Sequence, residues 1–219
     1  MLELEGYEFI TTENEEKING SHKRGIVVKV LLFAGVVMLS LNSSAKAETL
    51  NSVSHIHHVK VIENKVHVLT HEGLFELVGK NDMKLVGKDR IDVMGFTSLG
   101  KVLVASGHPA VGSKMPNPIG VVKSIDGGLT WQAVSLVGKV DFHFLEGAGS
   151  DLYGADSQSG NLMYSADSGN TWKSLGANTF TDIAVSPEIS GMAIAIKSSE
   201  LTLTKNAFKS TTKIKNNLK

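Results

Sequence analysis

The sequence predicts an all-β protein, a β-propeller-type array of four-stranded antiparallel blades with about four blades present. An eight-residue motif that begins at Ser124 returns at Ser165, 41 residues later. A period of about 40 residues is the length of one four-stranded propeller blade. Between the motifs, short apolar runs alternate as β-strands do and are separated by Gly, Asn, Asp and Ser. The same residues contain no long amphipathic helical pattern, which also favours an all-β fold.

The repeated motif has the pattern Ser-x-Asp-x-Gly-x-Thr-Trp in residues 124–131 and 165–172. A weaker third copy begins at Thr204, 39 residues after Ser165, with Asn, Phe and Ser in place of Asp, Gly and Thr. The pattern predicts a hairpin turn, because Gly allows positive φ and an Asp carboxylate can accept hydrogen bonds from the N–H groups of the turn. Each copy has a single carboxylate where a calcium loop needs several oxygens, so a structural turn is favoured over calcium binding. The residues assigned to the turns are Ser124, Asp126, Gly128, Thr130, Trp131, Ser165, Asp167, Gly169, Thr171 and Trp172.

In this interpretation the two tryptophans begin the outgoing strand and cover the turn with apolar area. Four units align on this basis, with opening strands centred on His57, Met94, His143 and Ile183. The second unit is longer than the others because of residues 107–118, which contain three of the four prolines. We therefore expect a rigid loop there, and function often resides in ordered loops on a repeat scaffold.

The chain divides into four segments by composition. We assign residues 1–21 to a disordered N-terminal extension, 22–47 to a signal peptide, 48–210 to the blades and 211–219 to a basic tail. Residues 22–47 combine a basic start, an apolar run and an Ala-Lys-Ala cleavage pattern, which predicts export. The alternative is that this segment stays uncleaved as a membrane anchor, the only membrane association that we expect. The chain has no cysteine, so its fold is expected to hold without disulfides.

The charges do not indicate a nucleic-acid partner. The chain has 22 basic and 22 acidic residues, and the region of the blades has no basic stripe with interleaved aromatic residues. A carbohydrate or an envelope protein is the expected partner.

Three histidines are the candidate ligand-binding residues. His57 and His143 occupy the same place in the opening strands of their units, and in a propeller these innermost strands line the central channel. His108 lies in the proline-rich loop and could lean over the same opening. Converging imidazoles could bind a metal, a carboxylate or a sugar, or they could be hydrogen-bonded channel residues that hold water. The sequence requires no cofactor, and it leaves the binding of a divalent metal as an open alternative.

The two motif copies resemble the Asp-box, or BNR, repeat of sialidase-like β-propellers, which implies that the turns lie on the blade rim, away from any reaction centre. His55-Ile56-His57, residues 107–120 and Asp141-Phe142-His143 are similar to bacterial exported Asp-box proteins that are commonly labelled glycosyl hydrolases or exo-sialidases. Propellers of this family usually have more blades than the four units found here. The resemblance therefore implies an incomplete array, and we expect a chain that is unstable or self-associates.

The residues do not favour a typical sialidase. Sialidases hold the substrate carboxylate with three arginines, and residues 48–219 contain only Arg90. They also use a tyrosine nucleophile paired with an acid, for which Tyr153 and Tyr164 remain. An ordinary glycosidase needs two facing carboxyl groups, and Asp92 and Asp141, at matching strand positions, are the candidate catalytic pair.

Three functions remain open at this point. The first is an exported module that binds a ligand or partner through a histidine-bearing central channel. The second is a glycoside hydrolase, and the third is an assembly scaffold for membrane or envelope proteins.

Overall fold

The computed structural model describes residues 48–214 as 17 β-strands and one short 3-10 turn, Leu50–Ser52. The predicted extension and signal segment at residues 1–47, and the last five residues of the predicted tail, lie outside the described residues. Within residues 48–214, no helix has the length and apolarity needed to cross a membrane.

The strands form four antiparallel sheets that follow one another along the chain, and we call them blades 1 to 4. Blade 1 has β1 (Glu48–Thr49), β2 (Ile56–Ile62), β3 (Lys65–Thr70), β4 (Gly73–Leu77) and β5 (Asp82–Leu85) in the order β1-β5-β4-β3-β2. Blade 2 has β6 (Asp92–Leu99), β7 (Val102–His108), β8 (Val121–Ser124) and β9 (Gln132–Ser135) in chain order. Blade 3 has β10 (Phe142–Ala148), β11 (Asp151–Asp156), β12 (Asn161–Ser165) and β13 (Lys173–Ala177) in chain order. Blade 4 has β14 (Asp182–Val185), β15 (Ala193–Lys197), β16 (Glu200–Thr204) and β17 (Thr212–Lys213) in chain order.

This architecture confirms the predicted all-β array of four-stranded antiparallel blades, with four blades in the described residues. Each blade is a meander of hairpins, and none of the four sheets closes on itself. The opening strands of successive blades, β2, β6, β10 and β14, contact one another in order. They therefore form the inner edge of the array, where propeller blades converge.

Two details differ from the expected unit. Blade 1 carries a fifth strand, because β1 pairs with the outer edge of β5 through Glu48 and Met83. Blade 4 extends past the predicted boundary at residue 210, because Thr212 and Lys213 pair with β16 as its fourth strand. The third, weaker motif still turns the chain back on itself, so a blade strand follows it as in the other two copies.

The motif turns join the third and fourth strands of blades 2, 3 and 4. In blade 2, the Ser124 hydroxyl accepts from Gly128 N (2.8 Å) and donates to Asp126 Oδ1 (2.7 Å). The Asp126 carboxylate accepts from Thr130 N (3.0 Å) and from the Thr130 hydroxyl (2.6 Å). The second copy repeats each of these four bonds with distances of 2.5 to 2.9 Å. The turn N–H groups thus find acceptors within the motif itself, as the sequence predicted.

The third copy makes the same turn with different side chains. Thr204 Oγ1 accepts from Phe208 N (2.9 Å), and Asn206 Oδ1 accepts from Ser210 N (2.9 Å). Ala207 and Phe208 have φ values of 53° and 58°, in the left-handed region that glycine adopts more readily. An amide oxygen therefore replaces the carboxylate as the central acceptor of this turn.

The hydrophobic core is divided into layers between successive blades. The layer between blades 1 and 2 contains Leu69, Phe96 and Leu103. The layer between blades 2 and 3 contains Phe142 and Leu152. Tyr153, Tyr164 and Ile183 belong to the layer between blades 3 and 4. Burying one such side chain contributes about 1.5–3 kcal/mol, so the packing of one blade on the next is the main source of stability.

The motif tryptophans belong to these layers. Trp131 packs against the layer between blades 1 and 2, and Trp172 lies 4.9 Å from the Phe142 ring between blades 2 and 3. Trp172 Nε1 donates to Gly169 O and to the hydroxyl of Ser135, which belongs to blade 2 (both 3.0 Å). The tryptophans therefore connect each motif turn to the preceding blade, in addition to covering the turn.

The motif turns predict a stability change in acid. Hydrogen bonds from the neighbouring Thr and Ser side chains and from the turn N–H groups lower the pKa of Asp126 and of Asp167 to about 2. Because the folded-state pKa is depressed, the stabilisation is present above the unfolded value of about 4 and is lost as the pH falls toward about 2. We expect the melting temperature to fall across this window.

The matched control is the Asp126→Asn/Asp167→Asn double variant, since Asn206 already plays the same part in the third turn. This variant should fold, and its melting temperature should fall less than that of the parent chain between pH 4 and pH 2. These two pH values bracket the titration of the two carboxyl groups. Equal slopes in thermal melts of the two proteins would contradict the assignment of the acid sensitivity to these carboxylates.

Candidate functional site

Three opening strands contain an irregularity at the same place. The ladder shifts register between Ile56 and His58 in β2, between Val93 and Gly95 in β6, and between Phe142 and Phe144 in β10. The residues that bulge are therefore His57, Met94 and His143, which the sequence alignment had placed at equivalent positions. Blade 4 lacks the irregularity, and Ile183 pairs regularly with Ala195. A bulge re-aims the side chain that it carries, and bulges are common next to functional sites.

The first cluster lies where blade 1 meets blade 2, and we call it the first junction cluster: His57, His71 and Asp92. His57 Nε2 lies 3.3 Å from His71 Nδ1, His71 Nδ1 lies 2.8 Å from Asp92 Oδ1, and His57 Nε2 lies 3.7 Å from that oxygen. The side chains of His57 and Asp92 are 16% and 19% exposed, whereas that of His71 is 38% exposed. The cluster is thus enclosed on one side and open to solvent on the other.

The second junction cluster, His108, Asp141 and His143, lies where blade 2 meets blade 3. Asp141 Oδ2 accepts from His143 Nε2 (2.8 Å) and from the Ser157 hydroxyl (2.7 Å), and it lies 3.3 Å from His108 Nε2. The Asp141 side chain is only 5% exposed. A buried carboxylate needs partners of this kind, because an unpaired buried charge is costly.

The two clusters share one arrangement. Thr70 and Gly107 are the residues of β3 and β7 that pair with the residue before the bulge. His71 and His108 directly follow them, and each reaches the Asp that lies two residues before the bulge residue of the next blade. Ser157 takes the same place in blade 3 and donates to Asp141 of its own blade instead. A His–Asp pair across the blade junction therefore occurs twice in the same register.

The proline-rich loop positions one of these histidines. Asn117 Oδ1 lies 2.8 Å from His108 Nδ1, and this oxygen can only accept, so His108 Nδ1 carries a hydrogen. Ile119 N donates to Gly107 O (3.0 Å), which closes the base of the loop. The loop thereby presents His108 Nε2 to Asp141.

The predicted site residues are brought together only in part. His108 and His143 share Asp141, whereas His57 belongs to the first junction cluster with Asp92. The three histidines thus form two sites instead of one, because each imidazole approaches the carboxylate of its own blade junction. The candidate catalytic residues Asp92 and Asp141 are likewise divided between the two clusters. His71 was not among the residues predicted from the sequence, although its place after the second strand, equivalent to that of His108, could have indicated it.

Burial affects the protonation of His57. Burial, and then the neighbouring His71, lower the pKa of His57, and Asp92 offsets part of this effect. A lowered pKa keeps the imidazole neutral at neutral pH, with a nitrogen lone pair available to a ligand.

The two tyrosines considered for a sialidase mechanism are buried. The Tyr164 hydroxyl donates to Asp151 Oδ1 (2.9 Å) in the core between blades 3 and 4. Burial raises the pKa of Tyr153 and of Tyr164, which disfavours the phenolate that a nucleophile requires. This tyrosine–acid pair is therefore a structural contact of the core.

Comparison with known proteins provides evidence on the fold alone. No protein-family model matches the chain, and no curated protein matches it. The GH74 xyloglucanase of Xanthomonas campestris superposes with a TM-score of 0.50 at 16% identity, over 76% of this chain and 25% of that enzyme. The GH74 enzyme of Niastella koreensis has a TM-score of 0.47 at 14% identity, over 70% and 28% of the two chains. YCF48 bound to D1 peptide has a TM-score of 0.46 at 18% identity, over 72% and 52%.

The chain spans from a quarter to about half of the length of these proteins. At 16% identity the similarity to the xyloglucanase concerns architecture, and it agrees with the four sheets described above. The chain thus has a β-propeller fold of four-stranded antiparallel blades.

Proposed function

We propose that the chain is an exported sialidase-like Asp-box propeller protein that binds a ligand or partner at the inner edge of blades 1 to 3. The observation that supports this most strongly is the His–Asp pair that recurs in the same register at two successive blade junctions. Imidazoles next to carboxylates offer donors, acceptors and lone pairs to a polar ligand. Export is inferred from residues 22–47 alone, and the Asp-box assignment is supported by the hydrogen bonds of the two full motif turns.

The geometry favours binding over glycoside hydrolysis. A glycosidase places two carboxyl groups on either side of the scissile bond. Asp92 and Asp141 belong to different junctions, and each already faces two imidazoles. Asp141 is in addition almost fully buried, which leaves little room for a substrate at this carboxyl group.

The binding proposal is tested by capture of carbohydrates on a glycan array and of proteins from envelope extracts, with the purified full chain as the probe. We expect capture to be lost in the His57→Ala/His143→Ala variant, because this variant removes one imidazole from each cluster. His58→Gln is the matched control, since His58 Nε2 donates to Met94 O (2.9 Å) and a glutamine amide can donate in its place. Equal capture by all three proteins would overturn the proposal.

The hydrolase alternative has its own test. Turnover of a panel of aryl glycosides by the full chain, lost in Asp141→Asn, would favour hydrolysis over binding. A partner captured from envelope extracts without any captured glycan would instead favour the assembly scaffold.

A further inference from the structure

We propose that the first junction cluster is a metal site, in which His57 Nε2, His71 Nδ1 and Asp92 Oδ1 hold one divalent transition-metal ion, with Zn²⁺ as the ion of reference. The inference deepens the proposed function and rests on it, because it names what this cluster binds. It does not extend to the second junction cluster.

The spacing of the three atoms fits a common metal centre. Zn²⁺ binds nitrogen and carboxylate oxygen at about 2.0–2.2 Å, and tetrahedral ligands at such distances lie about 3.3–3.6 Å from one another. The three separations in the cluster are 2.8, 3.3 and 3.7 Å. They bracket the expected value, so a shift of a few tenths of an ångström in each side chain would complete the coordination.

Hydrogen bonds do not satisfy the cluster by themselves. His71 Nδ1 carries at most one hydrogen, which can be directed at His57 Nε2 or at Asp92 Oδ1 but not at both. Asp92 Oδ1 is buried and receives no hydrogen bond, although it lies only 2.8 Å from that nitrogen. The short distance therefore lacks the angle of a hydrogen bond, and the oxygen is left without a partner. A cation between the three atoms would satisfy this oxygen and both nitrogen lone pairs together.

The scaffold holds these ligands from both sides. His57 is the residue of the β2 bulge, and His71 follows Thr70, whose hydroxyl donates to Gly73 O (3.1 Å) and accepts from Glu72 N (3.0 Å). The Glu72 carboxylate accepts from the backbone N–H of Ser54 (3.1 Å) and from its hydroxyl (2.7 Å). This clamp fixes the turn that carries His71 against the segment that leads into β2. A preorganised set of ligands of this kind is what a metal site requires.

The donor set indicates the class of ion. Two imidazoles and one carboxylate suit zinc and related first-row metals better than calcium or magnesium, which prefer oxygen ligands. Three protein ligands leave a coordination position open, as in zinc sites that bind an exogenous group. His71 is the most exposed of the three, so the open position is reached from its side of the cluster.

The second junction cluster serves as an internal comparison. There Asp141 Oδ2 already accepts from His143 and from Ser157 at 2.8 and 2.7 Å. The oxygen that faces both imidazoles of this cluster therefore has hydrogen-bond partners, and the unpaired oxygen is the other one, Asp141 Oδ1. At the first junction the unpaired oxygen, Asp92 Oδ1, is itself the atom that faces His57 and His71. We therefore assign the metal to the first junction alone.

The experiment is calorimetric titration of Zn²⁺ into the metal-stripped full chain, purified with a tag that contains no histidine. We expect one ion per chain, and an affinity that falls at least about 100-fold in His71→Ala, which removes a ligand, and in Asp92→Asn, which replaces an anionic ligand by a neutral amide oxygen. His143→Ala and His58→Gln should bind as the parent chain does. Circular dichroism of each variant establishes that it is folded, and His57→Ala replaces any variant that is not.

Absence of saturable binding, or an equal loss of affinity in His143→Ala, would overturn the metal site. The metal site would also be overturned if all three ligand variants, His71→Ala, Asp92→Asn and His57→Ala, bound zinc with the affinity of the parent chain. The glycan and envelope capture experiments are run in parallel with and without chelator. Capture that persists in the chelated chain, with no zinc binding, would refute the metal and leave the proposed binding function in place.

Discussion

Replacing Asp151 by alanine is expected to lower the free energy of unfolding by about 3–5 kcal/mol. Asp151 is 1% exposed and begins β11 of blade 3. Its Oδ1 accepts from the Tyr164 hydroxyl (2.9 Å) and from the Ser190 hydroxyl (3.0 Å), and its Oδ2 accepts from Gly191 N. Ser190 and Gly191 belong to the β14–β15 connection, so this carboxylate connects blade 3 to blade 4. Its removal leaves two buried donors, the Tyr164 hydroxyl and Gly191 N, without an acceptor, and it also removes the acceptor of the more exposed Ser190 hydroxyl.

Two single-donor variants are the controls for this prediction. Tyr164→Phe and Ser190→Ala each remove one donor and keep the carboxylate, so each should cost only about 1 kcal/mol. Urea denaturation of the four proteins measures these differences directly. An Asp151→Ala chain no less stable than Ser190→Ala would contradict the role of Asp151 as the link between the two blades.

Gly128→Ala is expected to be the second large effect, with a loss of about 2–4 kcal/mol. Gly128 has a φ of 91°, and a Cβ at this position would lie 2.4 Å from Leu74 Cδ2 of blade 1. The substitution therefore strains the backbone of the motif turn and also pushes this turn away from the preceding blade. Both effects act on the layer that holds blades 1 and 2 together.

The neighbouring glycine offers a matched control. Gly127 has a φ of 70°, and a Cβ there would meet no atom within 4 Å. Gly127→Ala should therefore show only the cost of the left-handed backbone, about 1 kcal/mol. The difference between the two variants in thermal or urea denaturation measures the clash with Leu74. Equal losses would show that the motif turn does not press against blade 1 in solution.

Much of the fold was predictable because each repeat is marked by a short turn motif whose hydrogen bonds are local in the sequence. The turn motif fixes a blade by bonds within eight residues, and even Thr204 and Asn206 preserve the pattern in the third copy. The alignment of His57, Met94 and His143 was likewise accessible, since the apolar pattern of the opening strands follows their register. The structure shows that these three residues share a ladder irregularity, which the sequence did not indicate.

The grouping of the site was not predictable in the same way. Whether His57 lies beside Asp92 or beside His143 depends on the packing of one blade against the next, and no local pattern encodes that distance. His71 was missed because it lies in what reads as a hairpin turn between β3 and β4. The contact of Trp172 with Ser135 also depends on the blade interface, over a sequence separation of 37 residues.

The most direct test is a crystal structure of the zinc-soaked chain with an anomalous difference map at the zinc absorption edge. We expect one strong peak within about 2.2 Å of His57 Nε2, His71 Nδ1 and Asp92 Oδ1, between the inner edges of blades 1 and 2. A map without a peak there, or with its only peak beside His108 and His143, would contradict the assignment of a metal-binding site to the first blade junction.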